Sequence, residues 1–122
     1  MRVFTVAEAN RALPRVRELV GLIRALAAEL RQAAQDAAGQ ASGNGHALGG
    51  GVRARLQQAL EELDRDGIVL RDLDSGLIDF PAATADGRSY WLCWLPDEPE
   101  VAWWHWPEDG FAGRRPLSDP PG

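Results

Sequence analysis

Apolar positions along this chain follow two different periods, one helical and one strand-like, and the change between them falls at Gly67. Val16, Val20, Ile23, Ala27 and Leu30 recur at spacings of four, three, four and three, and Leu19, Leu22 and Leu26 widen the stripe. That is the broad face of a helix packed on a core rather than a narrow coiled-coil seam. Thr5 followed by Glu8 is a capping-box pattern, with Phe4 just ahead of it. Pro14 interrupts the pattern, because proline removes a helical hydrogen bond. The sequence therefore predicts a short helix over about residues 6–12, then a kink or restart, and a long helix from about Pro14 to Ala38. Val52, Leu56, Leu60 and Leu63 mark a second helix from about Val52 to Asp66, with Gly67 as its stop. Between the helices, about residues 39–51 read as a flexible glycine-rich linker with His46 exposed in it.

Beyond Gly67 the pattern is that of strands. Ile68-Val69-Leu70 and Leu77-Ile78-Asp79-Phe80 are short apolar runs, the second ended by Pro81. Asp72 to Gly76 has turn chemistry between them. Asp86-Gly87 signals a hairpin. Tyr90 to Leu95 and Val101 to Trp106 complete the set, with Pro96 to Pro99 as their connection, and the tail from Pro107 wraps the surface with Phe111 as an anchor. The expected fold is α+β: a kinked two-helix antiparallel hairpin on a small antiparallel sheet of three or four strands, within a single domain spanning residues 1–122.

All five tryptophans lie between Trp91 and Trp106, together with the only cysteine, Cys93, and one of two histidines, His105. Indole is worth several kcal/mol when packed, so the cluster is a core, a binding surface, or both. Alternation makes both faces of this ribbon apolar. One face suits the helical hairpin; the other needs the tail, a second subunit or a ligand as cover, and a homodimer is the most economical choice.

Composition narrows the class. The cationic residues are thirteen arginines without a lysine; residues 1–60 carry a net charge of +4 and residues 61–122 a net of −9. Overall acidity argues against a nucleic-acid partner. No apolar run is long enough to span a bilayer, and a lone cysteine suits a reducing compartment, so a cytoplasmic protein is expected. Arg17, Arg24 and Arg31 recur every seven residues and read as a solvated face rather than an anion-binding stripe.

The stretches FTVAEAN, GIVLRDLDSGLIDFPA, YWLCW and EPEVAWWHWPEDGFAGRRPL resemble a bacterial family, domain-of-unknown-function family 2203. With the helix between the first two, the resemblance covers nearly the whole chain apart from the glycine linker. The family pattern places a glycine just before the glutamate matching Glu98, where this chain has Pro96-Asp97. The resemblance implies no activity, ligand or residue role.

The residues themselves suggest a metal site. Thiolate and imidazole are preferred ligands of zinc and serve iron as well, and carboxylates complete such shells. Cys93 and His105 are the candidates, with Asp79 and Glu98 foremost among the acids and Glu8, Asp72 and Asp74 behind them. Two registers of the last hairpin fit the sequence. If Trp94 opposes Trp104, Cys93 meets His105; if Leu95 opposes Glu100, Cys93 meets Ala102 and His105 turns away. The alternative to a metal is a buried thiol and a histidine bonded to a carboxylate or carbonyl. The aspartates of DLDSGLID can equally cap a turn, with Asp79 paired to Arg71, Arg114 or Arg115. Arg114 and Arg115 offer either an anion contact or such acid pairing. A Cys93–His105 nucleophile has little support, since a strand cysteine between tryptophans is usually buried and inert. Two functions from different classes follow: a self-associating interaction module without catalysis, or a small metal-binding protein that could carry out a metal-dependent reaction. The sequence does not decide whether the chain is an enzyme.

Overall fold

The computed structural model describes residues 2–39 and 45–122, without the side chains of 45–49. Helix α1 spans Val6–Gly39 and helix α2 Gly45–Arg65. Strands β1 Val69–Asp72, β2 Leu77–Ala83, β3 Ser89–Trp94, β4 Trp103–His105 and β5 Arg115–Pro116 form one antiparallel sheet in sequence order, and a 3-10 turn, Phe111–Gly113, precedes β5. The α+β architecture matches the expectation, with five strands where three or four were expected.

The capping box opens α1. Glu8 N–H donates to Thr5 Oγ1 at 3.1 Å, and Thr5 N–H donates back to Glu8 Oε1 at 2.9 Å. That backbone bond holds the Glu8 carboxyl below its ordinary range. The helix then runs through Pro14 as one element, with no break into a short and a long helix. Ala9, Leu13, Val16 and Val20 form one buried stripe across the proline, and burying that stripe outweighs one missing hydrogen bond. The Arg15–Glu62 ion pair, with contacts of 2.6 and 2.7 Å, ties the start of α1 to the end of α2 and so fixes an antiparallel hairpin.

The second helix begins at Gly45, earlier than the expected Val52. Each glycine costs a helix about 1 kcal/mol against alanine, which is why the sequence pointed later. Residues 40–44 of the expected linker, and the His46 side chain, lie outside the described residues. The stop at Gly67 is a Schellman closure: Gly67, at φ 73°, donates to Asp64 O, and Ile68 N–H reaches Leu63 O at 3.1 Å. Among the described residues, no helix is long and apolar enough to cross a membrane.

One sheet face lies under the hairpin. Ile78, Phe80, Ala82, Leu92, Trp94 and Trp104 join Val16, Leu19, Val20, Ile23 and Leu63 in a continuous core. Strand β2 passes through Pro81, where it was expected to end. The Pro81 carbonyl accepts Phe4 N–H at 2.7 Å, so its nitrogen faces the same side, beyond the end of β1, where no ladder donor is needed.

The three heptad arginines do not form a merely solvated face. Arg17 donates to the carbonyls of Pro96, Glu98 and Pro99 at 2.9–3.1 Å and lies 5.0 Å from the Trp94 ring centroid. Arg24 donates to Asp74 O at 2.7 Å, and Arg31 pairs with the Asp74 carboxylate at 3.6 Å. The stripe fastens α1 to the loops at one end of the sheet. Gly76 lets the β1–β2 turn into the same place: at φ 75°, an added Cβ would lie 2.7 Å from Pro96 Cγ and 3.1 Å from Val20 Cγ1.

Candidate metal centre on the second sheet face

The face turned away from the helices carries Leu77 and Asp79 from β2, Trp91 and Cys93 from β3, and Trp103 and His105 from β4. Its register is neither of the two expected. Cys93 opposes Trp103 and Trp91 opposes His105, with Asp79 opposite Cys93 on the other side. His105 is thus the diagonal neighbour of Cys93 on the same face, still within side-chain reach. The connection explains the shift. Between the two strands, Leu95 N–H and Trp94 Nε1 bond the Glu98 side chain and carbonyl, and Asn10 Oδ1 of α1 accepts Val101 N–H at 2.7 Å. An eight-residue loop pinned by a helix, not a tight turn, sets the pairing.

Three candidate ligands meet here. One ligand atom each from Asp79, Cys93 and His105 lies within 4.8 Å of the others, and the residues are 1%, 0% and 4% exposed. His105 Nδ1 lies 2.8 Å from the Trp106 carbonyl, which can only accept, so Nδ1 carries a hydrogen and donates it. The other ring nitrogen, Nε2, sits 2.9 Å from Asp79 Oδ2. That is a hydrogen-bond distance, so ring and carboxylate share one proton. Arg71 Nε donates to the same Oδ2 at 2.9 Å; Oδ1, fully buried, takes no N–H or O–H donor, and the protonated Cys93 thiol on the facing strand is the donor beside this carboxylate. Without a metal, the thiol proton is what this carboxylate has on that side, and a cation would take that proton's place.

Burial pushes the Cys93 thiol up to about 12, and the charges of Asp79 and Glu98 push the same way, against Arg114. A thiol held protonated and sealed from solvent is no nucleophile on its own, so a Cys–His catalytic pair is not what this geometry builds. A cation beside it would displace the proton.

The remaining candidates lie elsewhere. The Glu98 carboxylate, which was grouped with the metal ligands, is outside the trio: both its oxygens accept from Arg114 Nη2 at 2.9–3.0 Å, and Oε1 also takes Leu95 N–H. Arg114 stacks on Trp103, 4.6 Å from the ring centroid, and is an acid-pairing residue; Arg115 lies over Trp104 at 5.6 Å. Glu8 closes the capping box. Asp72 caps its turn through Ser75, whose hydroxyl and N–H hold that carboxyl below its usual range, and Asp74 faces Arg31. Of the three arginines considered as partners for Asp79, the bond is made by Arg71.

The cover over this face comes in part from the chain itself. Pro107, Gly110 and Phe111 close over Leu77, Asp79, His105 and Arg71 and leave a cavity of about 290 Å³. Arg71 enters it from a β-bulge: Leu70 pairs with Ile78 and Asp72 with Leu77, so Arg71 is the extra residue. Its guanidinium lies 4.7 Å from the Trp91 centroid. Phe111, expected only as a surface anchor, is a cavity wall; its place directly after Asp109-Gly110, a turn signal in the tail, was the available clue.

A helical hairpin on a five-stranded antiparallel sheet, with a buried Asp–Cys–His patch beneath the C-terminal segment, defines the class of molecule. The family model described as "Uncharacterized conserved protein (DUF2203)" matches residues 2–117, and the chain belongs to that family. No curated protein and no solved structure shows significant similarity to it.

Proposed function

We propose that the chain is a small metal-binding protein whose centre is formed by Asp79, Cys93 and His105, with zinc as the ion that the donor set fits best. The observation that carries this reading is the convergence of three metal-ligating side chains of different types. A carboxylate, an imidazole nitrogen and a thiol bring their ligand atoms within 4.8 Å of one another, where little water reaches. Thiolate, imidazole and carboxylate together suit a borderline ion such as zinc, with iron second. Tetrahedral zinc holds ligand atoms roughly 3.3–3.8 Å apart, so separations of up to 4.8 Å in the trio would close by about an ångström while the 2.9 Å Asp79–His105 contact opens. The Trp106 carbonyl on His105 Nδ1 is the kind of outer contact that aims a ligating imidazole. Three protein ligands would leave a fourth position free on such an ion, and Asp79 and His105 also line the neighbouring cavity.

Elemental analysis of purified protein tests this. About one equivalent of zinc per chain is expected, absent from Cys93→Ala and His105→Ala variants that remain folded. Metal-free protein whose melting is unchanged by added zinc would sink the reading, and iron in place of zinc would correct the ion.

Self-association is the second reading. Leu22 on α1 and Leu60 on α2 are each 37% exposed, and Leu60 borders a groove of about 320 Å³ with Leu63, Ile68 and Leu70. Apolar surface of this kind is what a homodimer would bury. Light scattering at micromolar concentration decides it, a monomer mass counting against the dimer.

A further inference from the structure

Beside the patch, one cation is arranged to do more than neutralise Asp79. Arg71 reaches the carboxylate through Nε alone, and among the described residues its two terminal Nη nitrogens have no protein partner. The guanidinium is held in place from two sides, by Asp79 and by the Trp91 ring, while 42% of the side chain is exposed. It lines the same cavity as Asp79 and His105. A positioned guanidinium with a free donor edge is matched to the two oxygens of a carboxylate, which it binds in a fork geometry. The rest of the wall is apolar: Leu77, Pro107 and Phe111, the last of them 48% exposed at the rim. The volume is at the lower end of the range for small-molecule sites, about 300 Å³ and upward.

We propose that this cavity binds a small organic carboxylate, its charged end on the Nη edge of Arg71 and its apolar body against Leu77, Pro107 and Phe111. The proposal stands with or without the metal. In metal-free protein Asp79 offsets the Arg71 charge and the free Nη donors hold the anion; with a divalent ion in place, the thiolate and the Asp79 carboxylate would offset the ion and the Arg71 charge would add to those donors.

Benzoate is a suitable probe, and benzamide its uncharged counterpart of the same shape. Both are titrated into zinc-loaded and chelator-treated full-length protein while the indole N–H signals are followed by NMR. Benzoate is expected to shift the Trp91 signal in a saturable way, with benzamide at least tenfold weaker. The Arg71→Gln variant should lose the same factor for benzoate and none for benzamide. The wild-type comparison of the two probes stands even if that variant fails to fold. Equal binding of the two probes, or no saturable shift with benzoate in either form of the protein, would overturn the proposal while leaving the zinc stoichiometry as it was found. Arg71-dependent benzoate binding to a protein that takes up no zinc would uphold the anion site and remove only the metal.

Discussion

His105 Nε2 stands 2.9 Å from Asp79 Oδ2, on the next strand but one, in a place that water hardly reaches. Arg71 bonds the same oxygen from β1, so four neighbouring strands converge on one carboxylate once Cys93 opposite it is counted. Removing that charge strands its partners. Asp79→Asn is expected to lower the stability of metal-free protein by about 2–4 kcal/mol, the range for breaking a buried, hydrogen-bonded ion pair. Urea unfolding monitored by circular dichroism measures it; a change within about 0.5 kcal/mol, typical of an ordinary surface substitution, would show that the pair is not structural.

The buried thiol predicts an alkaline dependence. Folding raises the Cys93 value from 9.0 to about 12. Between those pH values the folded chain keeps a proton that the unfolded chain has released, so stability is full below about pH 9 and falls as pH rises towards 12. In metal-free protein the plot of unfolding free energy against pH should slope downward more steeply for wild type than for Cys93→Ala. Tyr90, also raised by burial, contributes to both proteins and cancels in the comparison. Identical slopes would contradict a sealed thiol.

Arg17 is the member of the arginine stripe with most to lose. It donates to three loop carbonyls and stacks on Trp94, and all three carbonyls belong to the β3–β4 connection. Arg17→Lys keeps the charge but cannot serve that fork, so a loss of about 1–2 kcal/mol is expected together with faster amide exchange in residues 95–101. Unchanged exchange there would mean that the loop holds its shape without the helix.

The helices were legible in the sequence because their information is local. The periodic stripe, the Thr5–Glu8 cap and the Gly67 stop each lie within a turn of the element they define, and the structure returned all three. The sheet was legible in its first hairpins and less so beyond them. Whether Cys93 faces Trp103 or some other residue depends on Asn10 and Arg17, both on a helix some eighty to ninety residues earlier in the chain. The arginine stripe failed as a solvated face for the same reason, since backbone carbonyls of distant loops leave no mark in sequence. Strand β5, two residues ending in proline, carries no alternation to read. Residue types nominated Asp79, Cys93, His105 and Glu98 together; strand positions bring the first three to one place, while Glu98 lies in the β3–β4 connection, held there by Arg114 and Leu95 N–H.

Cobalt substitution tests the proposed centre most directly, because a thiolate bound to cobalt(II) absorbs in the near ultraviolet and a four-coordinate ion gives intense visible bands. Titration of chelator-treated protein should produce both, saturating at about one equivalent per chain, and zinc should displace them. The ultraviolet band should vanish in Cys93→Ser, with weaker binding overall. A featureless spectrum from folded wild-type protein at excess cobalt would contradict a metal centre at Asp79, Cys93 and His105.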